Sequence, residues 1–300
     1  MNKSFLLFYK LEWERWKRAL LLQLAVLCFY PALILAIYLI RPLVLHNMAF
    51  SLLSLPTEVY AFLGIPPGTY GGHFAFFIFY AMLVLNIWLA LKKCTQAVKT
   101  LRWDEKTGSI YLWLNQLAGR KQFILLKYLG TLASFWATYI CWHIFLLLTI
   151  LIGANQFQRP SNTSTLFRLF FLGGFLITML MTISYFYAVI KENDYGNPDA
   201  SFGKYLVFST LIAGNLYKLR DLGIWLIELF NERTTLHFDP AGLTENFGWL
   251  DRLYWLSPLS WLNPYALQNG RPLAWQYWAC VFLIAASGFF MVFVYRKRKL

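Results

Sequence analysis

Charged residues are scarce in this chain. Of its 300 residues only 14% are Asp, Glu, Lys or Arg, whereas 59% are hydrophobic and 19% are aromatic. These fractions lie far from the averages of soluble domains and argue against two soluble domains. A bilayer core about 30 Å thick needs roughly 20 apolar residues per helix, and the chain contains several such runs. We therefore predict one all-α, polytopic membrane domain over residues 1–300.

Cysteine and histidine are also rare, with four residues of each type. The cysteines form no CxxC motif and fall in predicted spans or on the predicted cytoplasmic side, which argues against a disulfide framework and a thiolate metal site. His46, His73 and His237 are too dispersed to indicate a metal site. We expect no catalytic, cofactor-binding or metal-binding residue in this chain.

Acidic residues are about half as frequent as basic ones, with 14 Asp and Glu against 27 Lys and Arg, so the net charge is +13. In a membrane protein this excess has a simpler use than nucleic-acid binding, because Lys and Arg beside the spans stay in the cytoplasm. Most of them fall at the two termini and in segments 92–127 and 191–204. We therefore expect both termini on the cytoplasmic side of the cytoplasmic (inner) membrane, and no nucleic-acid partner.

Six apolar runs predict transmembrane helices. They are residues 19–40, 74–91, 128–152, 169–190, 205–217 and 273–295. No cleavable signal peptide precedes the first run, which we expect to remain as the first span. The fifth run is short, about 20 Å of helix at 1.5 Å per residue. It crosses the bilayer only if the flanking lysines snorkel or the bilayer thins locally.

Two further segments are predicted to lie on the membrane surface. Aromatic residues at helical spacing over residues 4–18 predict an interfacial helix ahead of the first span. Residues 219–272 form a long segment with amphipathic, Trp-rich and Tyr-rich stretches. Such aromatic residues suit a membrane interface, and the charge distribution places this segment outside the cell.

Segment 92–127 is the one large internal segment predicted to be cytoplasmic. The residues that form its pattern are, in sequence order, Asp104, Glu105, Lys106, Gly108, Ser109, Ile110, Leu114, Arg120 and Lys127. A soluble motor can move a membrane domain only through a cytoplasmic element that is continuous with the spans, and a helix over residues 99–114 would provide one. Glu105 can accept hydrogen bonds from a partner, Gly108 permits close backbone approach, and Arg120 can tie the segment to Glu105 or to the partner.

This residue order closely resembles the signature of ABC transporter permeases of the type-2 exporter class. The resemblance extends to the ending Leu256-Ser257-Pro258 with Asn263-Pro264-Tyr265, and it departs from the family at Leu117, where family members often have Pro. It implies a cytoplasmic coupling helix within 92–127, with partner-coupling roles for Asp104, Glu105, Gly108, Ser109, Arg120 and Lys127. It also implies two copies of an ATP-binding subunit, a second permease that is the same or a related chain, and ATP with Mg in the partner.

A nucleotide-binding loop is missing from the sequence. The nearest approach, residues 196–204, has the wrong glycine spacing for a phosphate loop and is followed by Tyr205 where Ser or Thr would hold magnesium. The chain itself is therefore expected to be a permease and not an enzyme, with ATP hydrolysis in a separate subunit. Its aromatic-rich composition favours an amphiphilic cargo such as a peptide, a drug or a lipid-like molecule.

Among the polar residues inside the predicted spans, three are candidates for a functional role: Asn86, His143 and Asn215. Intramembrane polar groups mark a substrate pathway or form hydrogen bonds between helices, and both interpretations stay open. Two alternative functions also stay open. One is a membrane-embedded enzyme that modifies lipid, and the other is a non-transporting scaffold of the same architecture.

Overall fold

The computed structural model describes residues 3–44, 73–108, 119–156, 163–190, 201–233, 238–250 and 274–297. Within these ranges the chain is helical and contains no strand, which confirms the predicted all-α class. Seven helices have described bounds. They are α1 Lys3–Val44, α2 His73–Lys106, α3 Arg120–Gln156, α4 Thr163–Ile190, α5 Ser201–Arg233, α6 Ala241–Phe247 and α7 Ala274–Lys297.

Four of these helices are long and apolar enough to cross a membrane. The qualifying stretches are Ala19–Ala36, Arg120–Ile152, Phe170–Ile190 and Tyr277–Lys297. They overlap the first, third, fourth and sixth predicted spans and support the assignment to membrane proteins. The second predicted span lies within α2 and the fifth within α5, so the count of six spans remains a prediction.

Residues 4–18, predicted to form an interfacial helix, are helical and continuous with the first span, and their position at the membrane interface stays a prediction. Helix α1 runs without interruption for 42 residues, about 63 Å at 1.5 Å per residue. No glycine or proline stands between residues 4 and 30 to break it, and the helix continues through the buried Pro31. The first span and the segment before it are therefore one helix.

The prediction of a single helix over residues 99–114 is wrong, because α2 ends at Lys106. The amide of Thr107 donates to the Trp103 carbonyl at 2.9 Å. Gly108 then adopts a φ of +69°, a left-handed conformation that commonly ends helices and that glycine adopts without strain. Residues 109–118 lie outside the described ranges.

Helix α5 is longer than the fifth predicted span. It contains residues 205–217 but continues to Arg233, so the first part of the predicted external segment is helical. Beyond it, the Asn231 amide Nδ2 donates to the Phe238 carbonyl and Asn231 Oδ1 accepts from the Phe238 amide, both at 2.8 Å. This pair of bonds holds the chain leading into α6 against the end of α5.

Helix α4 is the centre of the fold. It packs against α2, α3, α5 and α7, and 72% of its apolar stretch Phe170–Ile190 is buried, against 11% for the corresponding stretches of α1 and α7. The two outer helices therefore present most of their apolar surface outward, which suits contact with lipid. The pattern separates a buried central helix from a lipid-compatible periphery.

Hydroxyl side chains on α4 satisfy their hydrogen-bonding groups locally. Thr178, Thr182 and Ser184 donate to the carbonyls four residues earlier at 2.7–2.8 Å. Two tyrosines of α3 then link the helices, since Tyr128 shares a 2.7 Å hydrogen bond with Thr182 and Tyr139 donates to the Phe170 carbonyl at 2.8 Å. Buried polar groups thus connect α3 and α4 without exposing a donor to lipid.

Two glycines allow helices to approach closely. A Cβ atom at Gly203 of α5 would lie 2.7 Å from the backbone carbonyl carbon of Cys94 on α2. A Cβ atom at Gly174 of α4 would lie 2.6 Å from the ring of Trp136 on α3. The Gly203 contact is the more demanding one because backbone cannot rotate away as a side chain can.

We predict that Gly203→Ala lowers the thermal unfolding midpoint of the detergent-solubilised protein. The added methyl group forces α2 and α5 apart, at a cost of roughly 1–3 kcal/mol. The matched control is Gly288→Ala in α7, where a Cβ would meet no atom of the described residues within 4 Å. This control should be neutral or slightly stabilising, because alanine favours a helix by roughly 0.5–1 kcal/mol over glycine. Equal effects at both positions, measured by circular dichroism, would contradict the packing.

Candidate functional site

A buried ion pair joins the two helix ends that flank the predicted coupling segment. The Nζ of Lys127 on α3 lies 2.5 Å from Oδ2 of Asp104 on α2, and both side chains are at most 1% exposed. Asp104 shares its buried face of α2 with Ala97 and Leu101, at helical spacing. Two residues that are 23 positions apart in the sequence therefore fix the spacing between the last turns of α2 and the first turns of α3.

Glycines mark both ends of the connection between these helices. Gly108 follows the end of α2, and Gly119, with a φ of +137°, precedes Arg120 at the start of α3. The Gly119 carbonyl accepts from the amides of Gln122 and Phe123 at 3.1 and 3.2 Å, which starts the helix. A Cβ at Gly108 would meet no atom of the described chain within 4 Å, so close approach by a partner stays a prediction.

A second buried lysine links α2 to α3, and sequence reasoning missed it. Lys93 is 1% exposed, and its Nζ donates to Ser134 Oγ at 3.2 Å. Lys93 lies outside the predicted second span. Burial lowers the pKa of its ammonium group to about 8, since the charged form loses hydration. Within the described ranges Lys93 forms no ion pair and is held by the neutral Ser134, unlike Lys127.

The outward face of the end of α2 carries a second set of residues. Lys99, Trp103 and Thr107 recur every four positions and are all exposed, so they lie on one face of the helix. The indole of Trp103 is 58% exposed. The sequence signal that could have identified Trp103 is its position directly before the acidic pair Asp104 and Glu105.

The remaining predicted coupling residues are placed only in part. Glu105 lies in the last turn of α2, and its side chain lies outside the described part of the structure, as does all of Ser109. Arg120 is the first residue of α3 and is partly exposed. The structure therefore brings together Asp104 and Lys127, while the predicted contact between Arg120 and Glu105 remains a prediction.

The predicted intramembrane polar residues lie on three different helices. Asn86 on α2 is 3% exposed and His143 on α3 is 4% exposed. Among the described residues, Oδ1 of Asn86 and Nε2 of His143 have no hydrogen-bond partner. Asn215 is on α5, and its side chain is outside the described set. Buried polar atoms in this state are costly and merit a physical explanation.

We predict that Lys127→Met destabilises the protein by about 3–5 kcal/mol, because it removes one partner of a buried ion pair. The matched control, Lys93→Met, should be neutral or stabilising, because it removes a buried charge that has no counter-ion in the described residues. Thermal unfolding in detergent measures both. The double variant Asp104→Asn/Lys127→Met should recover part of the loss, and a mild effect of Lys127→Met alone would contradict the assigned role.

Comparison of this chain with protein-family models, with characterised proteins and with solved structures finds no match in any of the three. The resemblance to type-2 exporter permeases is therefore carried by the residue order between Asp104 and Lys127 and by the other motifs of the sequence. The geometry adds the pairing of Asp104 with Lys127 and the exposed face of α2 beside it.

Proposed function

We propose that the chain is the membrane-spanning permease subunit of an ATP-driven exporter of the ABC type-2 class. It would form the substrate pathway together with a second permease, the same or a related chain. Two copies of a separate ATP-binding subunit would dock on its cytoplasmic side and hydrolyse ATP with Mg. The cargo would be amphiphilic, in keeping with the many aromatic and few charged residues of the chain.

The observation that carries this proposal is the buried pair of Asp104 with Lys127 inside the motif that resembles the coupling segment. Force from a soluble subunit reaches a membrane domain only through a stiff cytoplasmic element. Helix α2 extends 15 residues beyond the predicted span, to Lys106, and the ion pair fastens it to α3. Asp104 and Lys127 would act as positioning residues, since their side chains are buried within this chain.

The surface for the ATP-binding subunit would be the exposed face of α2 together with the connection after it. Lys99, Trp103 and Thr107 lie on that face, and exposed tryptophan is enriched among residues that dominate the energy of protein interfaces. Glu105 and Arg120 add charge at the ends of the connection. Closure of the two ATP-binding subunits would then move α2 and α3 together and change access to the pathway.

The proposal predicts that the purified chain hydrolyses no ATP alone and copurifies with an ATP-binding subunit when both are expressed. Glu105→Ala should release that subunit or uncouple its ATPase activity from transport, because the carboxylate accepts charge-assisted hydrogen bonds from the partner. Copurification and transport-stimulated hydrolysis are the measurements.

Glu14→Ala, which removes an exposed acid from α1, is the matched control and should leave both unchanged. Trp103→Ala should weaken copurification without lowering the yield of the permease. ATPase activity in the isolated chain would refute the exporter assignment. Unchanged coupling in Glu105→Ala would refute only the role of that residue.

The proposed orientation places α6 outside the cell. Ala241 at its start is exposed, so Ala241→Cys should react with a membrane-impermeant maleimide on intact cells. The parent protein, which contains four cysteines, gives the background. Labelling that requires permeabilised cells would overturn the orientation, while leaving the helices themselves unaffected.

A further inference from the structure

An apolar cavity of about 130 Å³ lies between α2, α3 and α4. Its lining includes Met82 from α2, Ile140, His143 and Ile144 from α3, and Phe167 and Phe171 from α4. His143 is the one polar side chain among the described lining residues. For scale, an engineered cavity of about 150 Å³ lined by similar apolar residues stays dry and binds benzene.

The hydrogen bonding of His143 defines what the cavity can accept. Nδ1 of its ring lies 2.8 Å from the carbonyl of Tyr139. Because a carbonyl only accepts, Nδ1 must carry the proton and donate. In the neutral ring Nε2 is then a bare acceptor, and it is buried without a partner among the described residues. The Nε2 acceptor therefore lacks a hydrogen-bond donor among the described residues.

The ring of His143 is held in place by its neighbours. Its centroid lies 4.0 Å from that of Tyr139 and 4.8 Å from that of Phe170. Tyr139 is fixed in turn, since its hydroxyl donates to the Phe170 carbonyl on α4. The acceptor is thus presented by a packed wall, which lowers the cost of ordering it when a ligand binds.

The mouth of the cavity lies on the apolar outer surface of two candidate spans. Ile144, Phe167 and Phe171 line it and are each at least 50% exposed. Within a membrane protein such side chains face the lipid, so a ligand would enter from the bilayer. A lone water does not fit the site, since a buried water needs two to four polar partners and the described lining residues offer one.

We propose that this cavity binds a small aromatic alcohol of the phenol class that enters from the membrane. The hydroxyl donates to Nε2 of His143, and the apolar ring fills the space between the isoleucine and phenylalanine side chains. Aromatic walls favour an aromatic ligand through edge-to-face contacts. This proposed site does not depend on an ATP-binding subunit. A negative result for phenol binding would therefore leave the exporter proposal untouched, and a negative result for the exporter would leave the cavity proposal untouched.

The test uses the full chain in lipid nanodiscs and two probes of similar shape, 4-fluorophenol and 4-fluorotoluene, followed by fluorine NMR. Empty nanodiscs provide the correction for partitioning. The phenol should bind saturably and about five to ten times more tightly than the toluene, since only the phenol satisfies the buried acceptor. His143→Phe should abolish this preference, whereas His143→Gln, which keeps an acceptor, should retain part of it.

A second variant keeps the test decisive if His143→Phe fails to fold. Leu147→Trp fills the cavity from another lining position and should abolish saturable binding of both probes. The matched control is Ile212→Trp on α5, where an exposed side chain lies away from the cavity. The absence of saturable phenol binding by the wild type would overturn the proposal, as would unchanged binding in Leu147→Trp or an unchanged preference in His143→Phe.

Discussion

The contact between Asp104 and Lys127 is the constraint on which the cytoplasmic end of the fold depends. Separating the two buried charges would be costly, so this contact keeps the last turns of α2 and the first turns of α3 at one spacing. As a result, the two ends of the connection between α2 and α3, at Gly108 and Gly119, are held at a fixed separation. Lys93, bonded to Ser134, provides a second attachment between the same helices.

Further into the bundle, buried polar groups form hydrogen bonds both within α4 and between α3 and α4. The hydroxyls of α4 bond to carbonyls one turn earlier, and Tyr128 and Tyr139 reach across from α3 to α4. Asn86 and His143 each keep one buried atom without a partner in the described residues. His143 is the informative exception, because an apolar cavity lies beside it and gives its acceptor a possible use.

Helix existence was largely predictable, and helix ends were not. Apolar runs of sufficient length predicted the stretches in α1, α3, α4 and α7, because any spanning segment must satisfy its backbone internally. Residues 4–18 continue into the first span as one helix, because the start of α1 contains no glycine or proline that would break it. The helix over residues 99–114 was wrong because the left-handed φ of Gly108 outweighs the helical propensity around it.

Composition and apolar runs were enough to predict a helical chain compatible with lipid, since helical hydrogen bonds join residues four apart and apolarity is a local property. The sequence also supplied Asp104, Lys127 and His143 as residues of interest. The packing of the helices was needed to show that Asp104 pairs with Lys127, that Trp103 faces outward and that His143 borders a cavity. Those outcomes depend on which helices are neighbours, and contacts between segments distant in the chain are not encoded in any local pattern.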